Sequence, residues 1–198
     1  MGFGEDAAIT SITGYRSIEN YSASDFDGTP ISVSNSSIYT RQRQFSEELR
    51  YNGSFGIATV TTGLYYYHQR VRQLLKNLLA NATQGGGVTE NVYGVFGQVD
   101  LKLSDPLTLQ FGGRYTHERK DAGVASLASE DPNVIQPGTN GVPGSCISGD
   151  RNGPQRCDYT FRQRTSFSNF SPKISLQYQA PNALFYATAQ KAYRSGGT

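Results

Sequence analysis

The sequence predicts an all-β fold: an antiparallel meander of about seven long strands, forming an open segment of a transmembrane β-barrel. Three observations predict it. Residues Asn91–Lys120 read as two alternating runs folded across a Ser104-Asp105-Pro106 turn. Each run reaches about a dozen residues, roughly twice the ~5–6 of a globular strand and enough for the ~9–11 tilted residues that cross a bilayer. The connections between strand candidates alternate long and short. The composition also suits strands, with Tyr 13, Phe 10, Gly 22, Met 1 and no Trp.

The hairpin carries the clearest pattern. In its first arm Tyr93, Val95, Gly97, Val99, Leu101 and Leu103 alternate with positions that include Gln98, Asp100 and Lys102. After the turn Leu107, Leu109, Phe111, Gly113 and Tyr115 alternate with Thr108, Gln110, Arg114 and Thr116. Successive side chains on a strand point to opposite faces, so each arm has one apolar and one polar face.

The other elements follow in order. A first strand is expected over Ala7–Glu19, rich in Ile, Thr, Ser and Tyr, followed by polar loop composition in Asn20–Ser37. The second covers Tyr39–Tyr51, with Asn52-Gly53-Ser54 as a turn signal. A third, Ile57–Arg70, is dense in β-branched and aromatic residues. Over Val71–Ala82 the period changes: Val71, Leu74, Leu75, Leu78 and Leu79 fall on one helical face, predicting a short amphipathic helix ended by Gly85-Gly86-Gly87. The hairpin supplies strands four and five. Asp121–Thr165 reads as a long irregular segment, Phe167–Gln179 as the sixth strand, and Ala183–Arg194 as the seventh after the Ala180-Pro181-Asn182 turn.

The connections are thus long (20–38), short (52–56), long (71–90), short (104–106), long (121–165) and short (180–182). In a meander, successive connections lie at opposite ends of the strands. Strict alternation collects every long loop at one end, as in outer-membrane barrels with long extracellular loops and short periplasmic turns. A soluble β-sandwich need not sort its loops this way.

Composition sets the remaining bounds. A mean hydropathy of −0.50 and the lack of any long apolar run exclude a transmembrane helix but leave a barrel open, because alternation averages hydropathy toward polar values. Net charge is +2, too small to argue for a nucleic-acid partner. Cys146 and Cys157, the only two cysteines, share one irregular polar segment. They read most simply as a loop-clipping disulfide in an oxidising compartment, ahead of free thiols or a metal site, since no His accompanies them. The N-terminus Met1-Gly2-Phe3-Gly4-Glu5-Asp6 has neither the basic start nor the apolar stretch of a signal peptide. For a protein expected outside the cytoplasm, the simplest answer is a fragment lacking its natural N-terminus.

Several tempting features have plainer readings. His68 and His117 are isolated, without the patterned partners of a metal or haem site. Gly85-Gly86-Gly87 lacks the spacing of a phosphate loop and reads as a flexible loop. Glu47 and Glu48 are adjacent, so on a strand they point to opposite faces and form no catalytic pair. Neither a nucleophile elbow nor a zinc-protease pattern is present, so no catalytic residue and no cofactor is expected. In Tyr65-Tyr66-Tyr67, Tyr66 is expected to face lipid in an aromatic belt, while Tyr65 and Tyr67 face the lumen as candidate substrate contacts.

At family level, the run Val95-Phe96-Gly97-Gln98-Val99-Asp100, then Leu107-Thr108-Leu109 leading to Gly112-Gly113-Arg114-Tyr115-Thr116, resembles the barrel of TonB-dependent outer-membrane receptors. So do Gln44–Arg50, Gly63–Tyr66, Asn169–Ile174, Leu184–Ala187 and Lys191–Gly197. The likeness runs from about Ala7 to the C-terminus apart from the long loops, and the order and spacing of its pieces are more specific than any one of them.

The resemblance implies a barrel of about two dozen strands around an N-terminal plug domain. It implies uptake of a scarce nutrient, with a ferric siderophore the leading candidate, driven through the TonB–ExbB–ExbD complex. Outer-membrane lipid, the plug, TonB and the ferric siderophore would be the partners, in the bacterial outer membrane. Residues 1–198 are expected to be a mid-barrel fragment, without plug, energy-coupling box or C-terminal strands, that neither transports nor catalyses alone. The alternatives are a passive porin or adhesin-type barrel, whose full-length gene would lack a plug, and a soluble secreted carbohydrate-binding β-sandwich, whose apolar faces a second sheet would cover.

Overall fold

The computed structural model describes residues 5–28, 30, 35–77, 82–128 and 157–196. Among these, seven strands form one antiparallel sheet in sequence order: β1 (Glu5–Asp25), β2 (Asn35–Phe55), β3 (Ala58–Asn77), β4 (Ala82–Lys102), β5 (Leu107–Ala128), β6 (Cys157–Ala180) and β7 (Ala183–Gln190). The expected meander is present. The sheet is open, and β1 and β7 each keep one unpaired edge.

Tight turns gather at one end. Gly56 and Ile57 join β2 to β3, and Gly56 has φ +59, a left-handed conformation that a residue with a Cβ adopts only under strain. Leu103–Pro106 join β4 to β5; here Leu103 N–H donates to the Leu107 carbonyl at 2.9 Å and Leu107 N–H to the Ser104 carbonyl at 3.1 Å. Pro181 and Asn182 turn β6 into β7.

At the other end the strands run further than expected. The predicted helix over Val71–Ala82 is not formed: Val71, Leu74 and Leu75 lie in β3, and Ala82 opens β4, while Leu78 and Leu79 fall outside the described residues. Val71–Asn77 pairs with Ser36–Gln42 of β2 on one side and with Ala82–Val88 of β4 on the other. Two flanking ladders satisfy every backbone group at once, whereas a lone helix of some twelve residues is marginal in water. The helical spacing of the leucines is overridden. Gly85-Gly86-Gly87 is accordingly strand, not a flexible loop, and the 71–90 connection contracts to residues 78–81. The irregular segment predicted over Asp121–Thr165 shrinks in the same way, because β5 continues to Ala128 and β6 starts at Cys157. The seventh strand ends at Gln190, four residues short of the expected Arg194.

One-to-one register, continuous through the middle of each ladder and shifted only between Ser126 and Leu127 in β5–β6 and between Glu5 and Ala8 in β1–β2, fixes which side chains share a face. Leu49, Leu64, Val95, Tyr115 and Phe170 pair in turn across β2–β6, forming one apolar row. Val60, Val99, Phe111 and Ile174 make a second, nearer the turns. This face is uncovered: Leu64 is 59% exposed and Phe170 56%. A contiguous apolar surface of this kind marks a lipid or protein contact. Along β4 and into its turn the band extends from Tyr93 to Leu103, close to the ~9–11 residues that span a bilayer. Ala82–Val92 projects beyond it.

The opposite face carries the polar set, and it packs tightly where glycine permits. The Phe96 ring lies over Gly63, where a Cβ would sit 2.6 Å from the ring and 2.6 Å from the Leu49 carbonyl oxygen. An aromatic covering a cross-strand glycine restores the packing that the missing side chain gives up.

Beyond the band, Asp121 clamps β5 to β6. Arg162 donates to it through Nε at 2.8 Å and through Nη2 at 2.6 Å, and Arg164 Nε donates at 2.8 Å. The hydrogen bonds from Arg162, and then those from Arg164, hold the Asp121 carboxyl down to about 2 against the opposing effect of burial. A depressed carboxylate contributes stability above its unfolded value of 3.8, and that contribution disappears as pH falls through about 2. Hydrogen exchange at Arg162–Arg164 should therefore lose protection between pH 4 and pH 2 (on the order of the window between those two values). Asp121→Asn should start with less protection and change little over that interval. Identical profiles for the two proteins would contradict the clamp.

Candidate functional site: the polar inner wall

Alternation delivers the site. Residues with even numbers on β2, β4 and β5, and odd numbers on β3 and β6, share the face opposite the apolar band. Arg50, Gly63, Phe96, Arg114 and Ser171 pair successively across five strands. Around this row a recess of about 400 Å³ is lined by Glu48, Arg50, Thr61, Gln98, Arg114 and Lys173, with Phe96 and the glycines as its floor.

The charges in the recess are held by local bonds. Arg50 Nε donates to Glu48 Oε1 at 2.9 Å, and its Nη2 reaches the same oxygen. Glu48 is the one carboxylate among the lining residues, against Arg50, Arg114 and Lys173. Arg114 lies 4.8 Å from the centre of the Tyr65 ring and donates through Nε to Thr116 Oγ1 at 3.3 Å. A guanidinium over a tyrosine face gains about 0.5–1 kcal/mol at an exposed site. Gly94 makes room for it, since a Cβ there would stand 3.0 Å from Arg114 Nη2.

Toward the loop end lies a second cluster. Lys120 Nζ is 2.7 Å from Glu118 Oε1, 2.8 Å from Ser195 Oγ, 3.3 Å from the Gly196 carbonyl and 4.0 Å from Glu90 Oε1. Ser195 in turn donates to Glu118 at 2.9 Å. Glu118 is only 6% exposed. After β7 the chain makes one more ladder bond, from Lys191 N–H to the Pro172 carbonyl at 3.0 Å, and then crosses the inner face of β6 to reach β5. That excursion ends the seventh strand early: its polar anchor lies two strands away.

The tyrosines fall as alternation predicts. Tyr65 and Tyr67 are on the inner face, opposite Gly94 and Val92. Tyr67 donates from its hydroxyl to Gln69, which also accepts from Gln42 at 3.3 Å. Tyr66 is on the outer face, with ring centres 5.3 Å from Tyr93 and 6.2 Å from Phe45. These three aromatics border the apolar band where an interfacial belt belongs. Both histidines are on the outer face: His68 Nδ1 is 2.9 Å from Asn91 Oδ1, and His117 Nδ1 is 2.8 Å from Ser168 Oγ. Glu48 faces inward. Its neighbour Glu47 faces outward and accepts from Ser11 at 2.6 Å and Thr13 at 2.5 Å. The proposed disulfide lies outside the described residues, since Cys146 is not among them and Cys157 is described only as the first residue of β6.

Arg50, Arg114, Glu118, Lys120 and Ser195 are the site residues that sequence reasoning missed. Arg114 stood on the polar face of its arm, but its partner Tyr65 is set by a register across two ladders. Ser195 reads as part of a strand end, and nothing local in the sequence joins it to Glu118.

The Glu118–Lys120 pair should hold the 191–196 segment in place. Removing one partner of a buried ion pair costs on the order of 3 kcal/mol, because the other charge stays buried. Lys120→Met is expected to speed limited tryptic cleavage after Arg194 several-fold, on the order of what local unfolding permits. An unchanged cleavage rate would show that the segment is held by something else.

Comparison with known proteins gives a consistent result. The family model described as TonB dependent receptor-like, beta-barrel matches residues 3–198. The ferric yersiniabactin uptake receptor FyuA from Yersinia pestis superimposes with a TM-score of 0.67 at 13% identity, over 93% of this chain and 25% of that one. The copper transporter OprC gives 0.59 at 10% identity, over 92% and 27%. The siderophore receptor PiuA from Acinetobacter baumannii gives 0.56 at 13%, over 92% and 29%. At such identities the likeness is one of fold, and the chain spans only 25% to 29% of the length of these structures. No match was found among curated proteins.

Proposed function

Because the chain belongs to the β-barrel family of TonB-dependent receptors, we propose that it is wall of an outer-membrane active transporter importing a ferric siderophore, specifically an anionic ferric chelate. The family consists of bacterial outer-membrane receptors and transporters, not enzymes. The role proposed here is accordingly physical: the wall keeps its backbone hydrogen bonds internal in lipid and lines the route along which the chelate passes when the plug moves. Plug and TonB complex act through the full-length receptor.

The observation that carries the reading is the charge of the inner recess. Arg50, Arg114 and Lys173 outnumber Glu48, and Glu48 is already bonded to Arg50. Ferric complexes of catecholate and carboxylate ligands are anionic, and arginine forks suit their oxygen rims. Tyr67, nearer the loop end, is the aromatic surface proposed to meet the chelate first. Tyr65 serves Arg114 instead, holding its guanidinium toward the recess.

These roles separate in one experiment on the full-length receptor, using radiolabelled ferric chelates in cells lacking other siderophore receptors. Tyr67→Ala should weaken binding about tenfold, ~1.4 kcal/mol. Arg114→Gln should leave binding within roughly threefold yet cut uptake of an anionic chelate about tenfold, as loss of a charge along the route requires. Uptake unaffected by Arg114→Gln, or equal transport of cationic chelates, would overturn the proposal.

A further inference from the structure

A lysine ammonium has three protons to donate, and Lys120 has more acceptors than that around it. With the 191–196 segment seated, its Nζ lies 2.7 Å from Glu118 Oε1, 2.8 Å from Ser195 Oγ and 3.3 Å from the Gly196 carbonyl. All three donors are then engaged, two of them by the segment. Glu90 Oε1, at 4.0 Å, is left beyond hydrogen-bond reach. Yet Glu90 stands directly across the ladder from Lys120, where an ionised carboxylate would draw a donor to itself. Segment and carboxylate compete for one ammonium.

The cluster lies past the apolar band and is well covered: the side chains of Lys120, Glu90 and Glu118 are 16%, 21% and 8% exposed. Two carboxylates beside one fully engaged ammonium would leave net negative charge in such a place, and a proton removes it. Glu90 holds that proton and donates it to Glu118. Burial, and then the hydrogen bond and charge of Glu118, raise the Glu90 carboxyl above its ordinary 4.5 against the pull of Lys120. Burial works to raise Glu118 as well, but hydrogen bonds from Lys120, Glu90 and Ser195 outweigh it and hold that carboxyl below 4.5.

Nothing else around the cluster changes charge in the same range. From β3 come Gln69, Tyr65 and Tyr67, and from β6 come Thr165 and Phe167, whose ring centre is 5.9 Å from Lys120 Nζ. The segment carries Lys191, Tyr193 and Arg194, and Arg114 lies further down β5. Phenols, ammonium and guanidinium groups keep one charge state between roughly pH 4 and 8. His117, Arg119, Asp121, Arg162 and Arg164 belong to the outer face.

We infer that the Ser195–Gly196 strap is a proton-controlled latch, closing over Lys120 when Glu90 holds a proton and loosening when Glu90 ionises and draws a Lys120 donor back. The proton comes from solvent and returns there as the strap opens, so closure and proton uptake are one equilibrium. Glu90, raised in the closed state, favours closure at low pH and loses that effect as pH rises through its raised value. Glu118, lowered, favours closure at high pH and loses that effect as pH falls through its lowered value. Closure is therefore tightest near pH 4.5, between the two. The latch itself is independent of the transport proposed above. On that reading its consequence is a route more open at neutral pH than in mildly acidic surroundings, because the strap crosses the face along which the chelate passes.

Hydrogen exchange of the full-length receptor in detergent follows the strap directly, read by mass spectrometry on peptides covering residues 191–196 and corrected for the intrinsic pH dependence of exchange. Wild-type protection should peak near pH 4.5. It should fall between about pH 5 and about pH 7.5 by at most about tenfold per pH unit, as release of one proton dictates. Glu90→Gln, which leaves Lys120 without a competing charge, should keep protection nearly flat over that interval. Ser195→Ala gives a second reading: with one Lys120 donor freed for Glu90, protection should drop at the acidic end and the slope should shrink. Glu19→Gln, on the outer face of β1, should keep the wild-type profile. A wild-type strap equally protected across the interval would overturn the inference. So would a Glu90→Gln or Ser195→Ala protein that retains the wild-type slope, or a Glu19→Gln protein that loses it.

Discussion

The whole arrangement depends on the backbone ladder. A wall standing in lipid has no water to satisfy its amides, so each N–H and C=O must find a partner inside the sheet. One-residue-per-residue pairing across β2–β6 meets that demand, and it has a consequence for side chains. With period two and a register that shifts only at the Ser126–Leu127 end of β5–β6, the residues of β2–β6 are assigned to one face or the other, and each face becomes a map built of cross-strand rows. The apolar rows of Leu49 and Val60 and the recess of Arg50 and Arg114 both follow from that assignment.

The two faces are held by different physics. Outside, nothing within the sheet covers Leu64, Val95 or Phe170, an apolar surface of the kind that marks a lipid or protein contact. Inside, the charges are stabilised by short-range bonds: Arg50 on Glu48, Arg114 on the Tyr65 ring, Lys120 between Glu118 and Ser195. Glycine mediates between the two, admitting Phe96 over Gly63 and Arg114 beside Gly94. The same strands pass through three environments in turn. They cross a band where one face must be apolar, a border of Tyr66, Tyr93 and Phe45, and an outer reach where both faces carry charge.

How much was legible depended on whether a signal was local. The Asn91–Lys120 hairpin announced its faces because alternation within one strand needs no partner to be read. The inward placement of Tyr65 and Tyr67 followed from the same rule. The helix expected at Val71–Ala82 failed for the complementary reason. Its leucine spacing is a local signal, but the conformation there is set by β2 and β4, whose long pairing with β3 no short window reveals. At the loop end of β2 to β6 the strands were underestimated, because polar residues such as Arg70, Arg72 and Lys120 look like loop composition yet pair in ladders that run past the apolar band. The Glu118–Lys120–Ser195 cluster was invisible, its members being 75 and 77 positions apart.

On the proposed reading, one face of each strand meets lipid over a limited band, and this contact ends at the aromatic border. Spin labels placed singly along β4 of the reconstituted full-length receptor test it most directly, by comparing accessibility to oxygen and to a water-soluble nickel reagent. From Tyr93 to Leu103, odd positions should favour oxygen and even positions the nickel reagent. From Gln84 to Val92 both faces should favour the nickel reagent. Loss of the two-residue alternation within the band, or oxygen preference continuing through Gly85 and Gly87, would contradict the account.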